Sequence, residues 1–311
     1  MNRIICGDCI EVLGKARRPF ADLIFADPPF NIGYKYDKYC DKVKSRNYIA
    51  WTKEWMTACL NVLKPHGSFY IAIGDEYAAN VKVTADELGL FMRNWIIWHY
   101  TFGQQAKNKF ARSHTHIFYF VKDRKNFTFN DYAVRVPSDR QLIYNDRRAN
   151  PIGKMPNDVW TDYSRVCGTF KERAGWHPCQ MPEKLLKRII SVSSGPGDCV
   201  LDPFSGSGTT ASAAKQLKRT YTAIDISEEY VEKARIRLAE LEDRPSQNLF
   251  LGSSETDVLQ QLLCDMEMPA ETIVGDRGLV KIVTTQFNVR MNNSRKYRIE
   301  EVTAALKDLT D

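Results

Sequence analysis

The stretch Asp202-Pro203-Phe204-Ser205-Gly206-Ser207-Gly208-Thr209-Thr210-Ala211 follows a short apolar run, Cys199-Val200-Leu201, and leads into an alanine-containing helical segment. A glycine-rich turn between a buried strand and a helix is the βα joint of an open α/β sheet, and it restricts the fold class more than any other segment here. Gly206 and Gly208 allow a tight turn and close backbone approach to a ligand, while Ala211 lets the helix lie against the sheet. Asp225 ends the next strand about 20 residues on, where a carboxylate can accept from two ribose hydroxyls. Gly206-x-Gly208-x-x-Ala211 also fits a dinucleotide loop, so a nicotinamide cofactor and a purely structural turn both stay open at this point.

A second strand-to-loop joint lies near the N-terminus. The run Asp22-Leu23-Ile24-Phe25-Ala26 reads as a buried strand, which puts Asp27-Pro28-Pro29-Phe30 in the loop at its carboxyl end, where open α/β sheets bind ligands. Two prolines fix φ and leave carbonyls without matching N–H groups. A carboxylate before them and an aromatic face after them suit an exocyclic amine on a planar ring. Asp27 and the Pro28 carbonyl can each accept an N–H while Phe30 stacks. The competing reading is an ordinary proline turn.

The rest of the chain fits an α/β pattern. Strands are expected at 3–7, 68–73 and 220–224, with an antiparallel edge pair at 91–102 and 116–121. Helices are expected at 48–63, 76–88, 182–193, 209–217 and 227–242. Lys64-Pro65-His66-Gly67 reads as a stop before the 68–73 strand, and the basic, aromatic segment 31–47 as a mobile loop. Residues 122–176 have weak periodicity and read as an irregular insertion. Between 104 and 176 basic residues outnumber acids about two to one, which points to a polyanion partner. Arg244-Pro245-Ser246 marks an expected boundary, followed by a helix at 256–264, a strand at 279–287 and a helix at 299–309. At 43% hydrophobic and 26% charged residues, with no apolar run of about 20, the chain is expected to be cytoplasmic and to contact no membrane. Its cysteines then read as reduced thiols, Cys6 and Cys9 included, and no metal-ligand spacing is present.

Taken together, Asp27-Pro28-Pro29-Phe30 and Phe204-x-Gly206-x-Gly208 resemble the amino-group DNA methyltransferases that use S-adenosylmethionine. Their order, with a basic insertion between them, resembles that family's circularly permuted β group. His177-Pro178-Cys179-Gln180-Met181-Pro182 looks like its His-Pro-x-Gln-x-Pro motif, Gly7-Asp8 like its N-terminal strand-end acid, and Lys64-Pro65-x-Gly67 like its turn before a strand. The resemblance covers about 3–243.

It implies a Rossmann-like S-adenosylmethionine-dependent methyltransferase fold: a mixed seven-stranded sheet with an antiparallel edge hairpin. The catalytic domain would be 1–244 with a target-recognition insertion at about 122–176, and 245–311 a small C-terminal module that binds DNA, pairs subunits into a homodimer or caps the core. Asp8 would bind the cofactor's adenine amine and Asp225 its ribose. The loop with Phe204, Ser205, Gly206 and Gly208 would hold its methionine part, with Gln180 nearby, and Asp202 and Thr209 would also belong to the cofactor site. Asp27, Pro28, Pro29 and Phe30 would form the target pocket for a base flipped out of double-stranded DNA. An Asp before the two prolines leans toward adenine N6, with cytosine N4 the alternative. One departure is His114-Thr115-His116, where the family often has an acid, which leaves one pocket wall open. Pro178-Cys179-Gln180 matches the cysteine nucleophile tripeptide of C5-cytosine methyltransferases, but it precedes the cofactor loop and lacks their Glu-Asn-Val. Trp95, Trp98 and Tyr100 read as sheet core, with Tyr100 near the pocket. A nicotinamide-dependent oxidoreductase and an inactive DNA-binding protein are the remaining classes; the first leaves the Asp27 loop unexplained.

Overall fold

Strand β2 (Ala21–Ala26) is buried along its whole length, which follows from an apolar run placed inside a sheet. Asp22 is the exception in chemistry. Its carboxylate hydrogen-bonds Lys64 Nζ at 2.8 Å, His66 Nε2 at 3.0 Å and the Cys199 N–H at 2.9 Å. Burial pushes this carboxyl up, but Lys64 and the other donors outweigh it and hold the pKa below the usual carboxylate range. One carboxylate thus ties β2 to its two neighbours, β3 (Leu63–Ile73) and β7 (Cys199–Asp202). Lys64-Pro65-His66-Gly67, expected as a stop before a strand, lies within β3 and serves this contact.

The computed structural model describes residues 2–104, 107–168, 172–241 and 253–310, with backbone alone for 102–104. Among them is an eight-stranded sheet, completed by β1 (Arg3–Cys6), β4 (Phe91–Gln104), β5 (Arg112–Val121), β6 (Val159–Trp160) and β8 (Thr220–Asp225), in the order β1-β8-β7-β2-β3-β5-β4-β6. Strands β1, β8, β7, β2 and β3 are parallel, and β5 runs antiparallel to both β3 and β4. The expected seven strands become eight because Val159 and Trp160, in the weakly periodic region, pair with Ile97 and Trp98. Two residues are too few to carry a period. They are fixed from behind by Arg188, which donates to Asp162 at 2.6 Å and lies over the Trp160 and Tyr163 rings.

Helices α1 (Cys9–Gly14), α2 (Ser45–Val62), α3 (Asp75–Glu87), α5 (Glu183–Ser193), α6 (Thr209–Gln216) and α7 (Glu228–Glu240) accompany the sheet; the short α4 is Asp139–Leu142. Apolar side chains of α2 and α3, among them Trp55, Met56, Val62 and Val81, share one core with Ile24, Phe69 and Ile71 of the sheet. The order in which the chain adds strands reverses between β2 and β7, which pair parallel although they are far apart in sequence. No described helix is long and apolar enough to cross a membrane.

Contacts divide the chain into two units, 1–129 with 158–243 and 130–157 with 244–311. The expected division joined the whole insertion to the catalytic domain and left the C-terminal segment alone. The hydrogen bonds explain the difference. Gln286 donates to the Pro151 carbonyl at 3.0 Å, and Arg290 donates twice to the Arg135 carbonyl, so the middle of the insertion belongs with the C-terminal helices. The expected boundary Arg244-Pro245-Ser246 lies outside the described residues. Helices α8 (Ser253–Asp265), α9 (Ala270–Val274), α10 (Arg277–Met291) and α11 (Ile299–Asp308) enclose a second core around Leu262, Ile273, Val283 and Phe287. The strand expected at 279–287 is part of α10. Its β-branched run reads as strand, but Asp276 caps the helix through Gly278 N and Leu279 N, and the buried set Val280, Val283, Thr284 and Phe287 keeps helical spacing.

Arg290 also pairs with Asp265 at 2.7 Å, both buried. Arg290→Ala removes the cation that offsets this buried acid and leaves Gln261, which donates to Asp265 at 2.9 Å, as a neutral donor only, so a loss of about 3–5 kcal/mol is expected for this unit. Limited proteolysis should then cleave 130–157 early while the unit that holds the sheet stays resistant. An unchanged cleavage pattern would show that Arg290 is not the clasp.

Candidate active site

Because β2 and β7 are neighbours, the loops at their carboxyl ends leave the sheet side by side. Two cavities open there. The first, about 140 Å³, is lined by Asp8, Asp27, Asp202, Phe204, Gly206 and Asp225 among others. The second, about 160 Å³, is lined by Pro28, Phe30, Trp98, Tyr100, His114 and Arg165 among others. Asp27, Tyr36, Cys179 and Met181 border both.

Asp27 faces cavity rather than packed atoms on part of its surface, yet its carboxyl lies deep. Burial and the nearby Asp202 charge push its pKa up to about 8, against the attraction of Arg165. Burial likewise raises Asp202 to about 7, although Thr210 and the Phe204 N–H, 3.0 Å from Oδ1, favour its charged form. The Pro29 carbonyl accepts from Tyr48 at 2.6 Å, and that bond stiffens the loop. Phe30 sits against Gly74, where a Cβ would come within 3.2 Å of the ring.

The glycine loop is held by Asp225, whose Oδ2 accepts the Gly206 N–H at 2.7 Å and whose Oδ1 accepts the Ser227 N–H at 2.9 Å. A carboxylate has about four acceptor sites, so each oxygen keeps capacity toward the cavity. Asp8 caps α1 through Oδ1, which accepts from Ile10 N and Glu11 N. Gly206 has φ +47°, and a Cβ there would lie 2.7 Å from His177 Nε2. Burial pulls the His177 pKa down to about 4; the neutral ring accepts the Cys179 N–H at Nδ1, which leaves its proton on Nε2. Phe204 meets Trp55 edge-on at 5.2 Å. Thr209 lines the first cavity and shares a 2.9 Å hydrogen bond with Ser207, and the buried Ser205 Oγ has no partner among the described residues.

Two expected cofactor residues stand elsewhere. Gly208 lines neither cavity; it starts α6 at φ +75° and lets the helix approach Ala234. Gln180 borders the second cavity, and its amide is spent on backbone, accepting from Ala174 N and donating to the Glu172 carbonyl. Cys179 stands between the cavities as a thiol that burial pushes up to about 11, far from the thiolate a nucleophile needs.

Other site residues carried little signal in the sequence. Trp98 and Tyr100, read as sheet core, are buried and also line the second cavity. Arg165 lies over the Tyr100 ring and was marked only by its charge in an irregular stretch. The open wall is filled by Arg112, His114 and Thr115, while His116 turns to accept from Trp95. The segment 31–44 is an internally bonded loop, and 45–47, expected as its end, open α2. The buried Asp41 carboxylate accepts from the backbone N–H of Asn31, Ile32 and Tyr34, and Ser227 donates to Asp37. This loop delivers Tyr36 to the wall between the cavities.

A DNA methylase family model matches residues 21–235. The type II methyltransferase M.HpaI of Haemophilus parainfluenzae is 39% identical over 238 residues, 76% of this chain and 74% of its own. The DNA adenine methyltransferase YhdJ of Escherichia coli is 40% identical over 245 residues, 76% of this chain and 82% of its own. Among solved structures, the M1.HpyAVI–S-adenosylmethionine complex shares the fold with TM-score 0.54 at 23% identity, covering 76% of this chain and 99% of that one. The paired strand-end loops that form the two cavities therefore sit on the matched stretch, and the chain belongs to the S-adenosylmethionine-dependent DNA amino-methyltransferases of the N6-adenine and N4-cytosine type.

Proposed function

We propose that this chain methylates the N6 amine of adenine in double-stranded DNA, with S-adenosylmethionine in the first cavity and the flipped base in the second. The observation that carries this reading is the shared wall: Asp27 borders both cavities, so a base amine that it binds lies between the base pocket and the cofactor pocket. The charge of the first cavity selects the cofactor. Its lining sets four acids, Asp8, Asp27, Asp202 and Asp225, against Lys38, and a bound cation draws Asp27 and Asp202 toward their ionised form. A sulfonium and an ammonium suit that set, whereas a dinucleotide pyrophosphate would meet repulsion from it. The unpartnered Ser205 Oγ adds a polar atom that a ligand can satisfy.

S-adenosylmethionine supplies an already activated methyl group, so the protein chiefly positions the amine. Asp225 accepts from the ribose diol and Asp8 from the adenine amine. Asp27 and the Pro28 carbonyl accept the two N–H bonds of the target amine, which favours the tetrahedral nitrogen that develops, and Phe30 holds the ring by stacking. Adenine is supported by the Asp at position 27 and by the name of the YhdJ relative. Nucleoside mass spectrometry of DNA treated with the purified protein tests this: N6-methyladenine is expected, and N4-methylcytosine alone would reassign the base.

The segment 130–157 is the proposed sequence reader. It exposes Ile143, Tyr144, Arg147 and Arg148 on the frame of the C-terminal helices. That unit holds as many acidic as basic residues, so the formal +6 of the chain belongs to the catalytic unit, which supplies the sequence-independent grip on phosphate.

The raised carboxyls give a pH dependence. A cation in the first cavity favours ionised Asp27 and Asp202, lowering pKa values that stand at about 8 and about 7, so binding releases protons near neutrality. Affinity for S-adenosylmethionine should rise from pH 6 to pH 9, by roughly tenfold for each unit by which a carboxyl is lowered. Titration calorimetry in buffers of different ionisation heat measures both quantities. A flat affinity with no buffer dependence would remove the two carboxylates from cofactor binding.

A further inference from the structure

The β4–β5 hairpin closes with Gln104 paired to Arg112, and residues 107–111 are exposed. Phe110 there has its entire side chain in solvent, at 100% exposure, with Lys107 and Lys109 beside it. The position matters more than the exposure, since single apolar side chains on surfaces are ordinary. The feet of this hairpin line the second cavity, through Trp98 and Tyr100 on β4 and Arg112, His114 and Thr115 on β5. Arg112 also pairs with Asp75 of α3 at 2.7 Å, which anchors the β5 foot. Phe110 is two residues from Arg112, so their Cα atoms are at most about 7 Å apart. That distance is on the order of two base-pair steps of duplex.

We propose that Phe110 enters the base stack of double-stranded DNA as a wedge when the target base moves into the second cavity, with Lys107 and Lys109 on the adjoining phosphates. This rests on the base-flipping reading above. Extruding a base unstacks its neighbours and leaves a gap, and an aromatic ring placed in that gap recovers stacking. The lysines lower the cost of bringing an apolar ring against a polyanion. Ring, charge and cavity thus lie on one hairpin, and the wedge acts on the same step that fills the pocket.

The test compares Phe110→Ala and Phe110→Trp with the unaltered protein on two oligonucleotide duplexes carrying a site mapped from methylated plasmid DNA. In one the target base is normally paired; in the other it faces an abasic position, so no base pair has to break on extrusion. Phe110→Ala should slow methylation of the paired duplex about tenfold and reduce the fluorescence rise of 2-aminopurine at the target position. The loss should shrink to within threefold on the abasic duplex. Phe110→Trp should stay near normal on both, and calorimetric affinity for S-adenosylmethionine should not change. An equal loss on both duplexes, or no loss on either, overturns the wedge. So does sedimentation showing that Phe110→Ala alters only self-association, which would make the tip a contact for a second copy. If the methylated base proves to be cytosine, the same comparison is run on that base, so failure of the wedge and failure of the adenine assignment are separate outcomes.

Discussion

Asp27→Ala is expected to lower methyl transfer to DNA by at least about a hundredfold while S-adenosylmethionine still binds, as measured by tritium incorporation beside calorimetry. The carboxylate borders both cavities, but it adjoins Pro28, which lines the second one proposed for the base, and Asp8 and Asp225 keep their own backbone bonds without it. Removing it deletes the strongest acceptor available to the amine as positive charge develops on nitrogen. Loss of one acid also relieves Asp202, whose charge lies close enough to raise the pKa of Asp27. At pH 7 Asp27, with its pKa of about 8, is mostly protonated before the cofactor arrives, and Asp202 supplies the counter-charge in the variant, so cofactor affinity at that pH should change by no more than a few-fold. Near-normal turnover in this variant would overturn the mechanism, and a collapse of cofactor binding would assign Asp27 to the other cavity.

Gly206→Val should abolish cofactor binding with the sheet intact, as read by calorimetry and by thermal unfolding of the unliganded protein. At φ +47° any side chain is strained by about 1–2 kcal/mol, and a β-branched one fares worse. Its Cβ would also lie 2.7 Å from His177 Nε2. The imidazole has little room to withdraw, because Tyr230 lies 4.8 Å and Tyr36 6.3 Å from its ring centre. The loop must then shift away from Asp225, which holds the Gly206 N–H and borders the cavity. Gly206→Ala should be milder, and adding His177→Ala to it should recover part of the affinity by removing the ring contact. Affinity within threefold of normal for Gly206→Val would show that the loop does not need this shape.

The sequence alone determined the features that depend on neighbours along the chain. The strand leading into Asp27 and the strand ending at Asp202 are each a short apolar run followed by residues with restricted or unusual backbone freedom, among them Pro28 and Gly206. Such joints are legible because buried strands and tight turns leave local signatures, and the family motifs fall on them. Tertiary structure decided everything that needed two distant segments to meet. Only the pairing of β2 with β7 sets Asp27 beside Asp202, and the mutual effect of their buried charges follows from that meeting. Arg165 and Trp98 became pocket residues because β6 and the Arg188–Asp162 pair fasten an irregular stretch to the edge of the sheet. The same reason explains α10. Local composition favoured a strand, and burial of Val280, Val283 and Phe287 against the other C-terminal helices favoured a helix, because tertiary packing outweighs a propensity difference of a few tenths of a kcal/mol per residue. Where 130–157 belongs was likewise set by Gln286 and Arg290, more than a hundred residues away, through hydrogen bonds that no local period records.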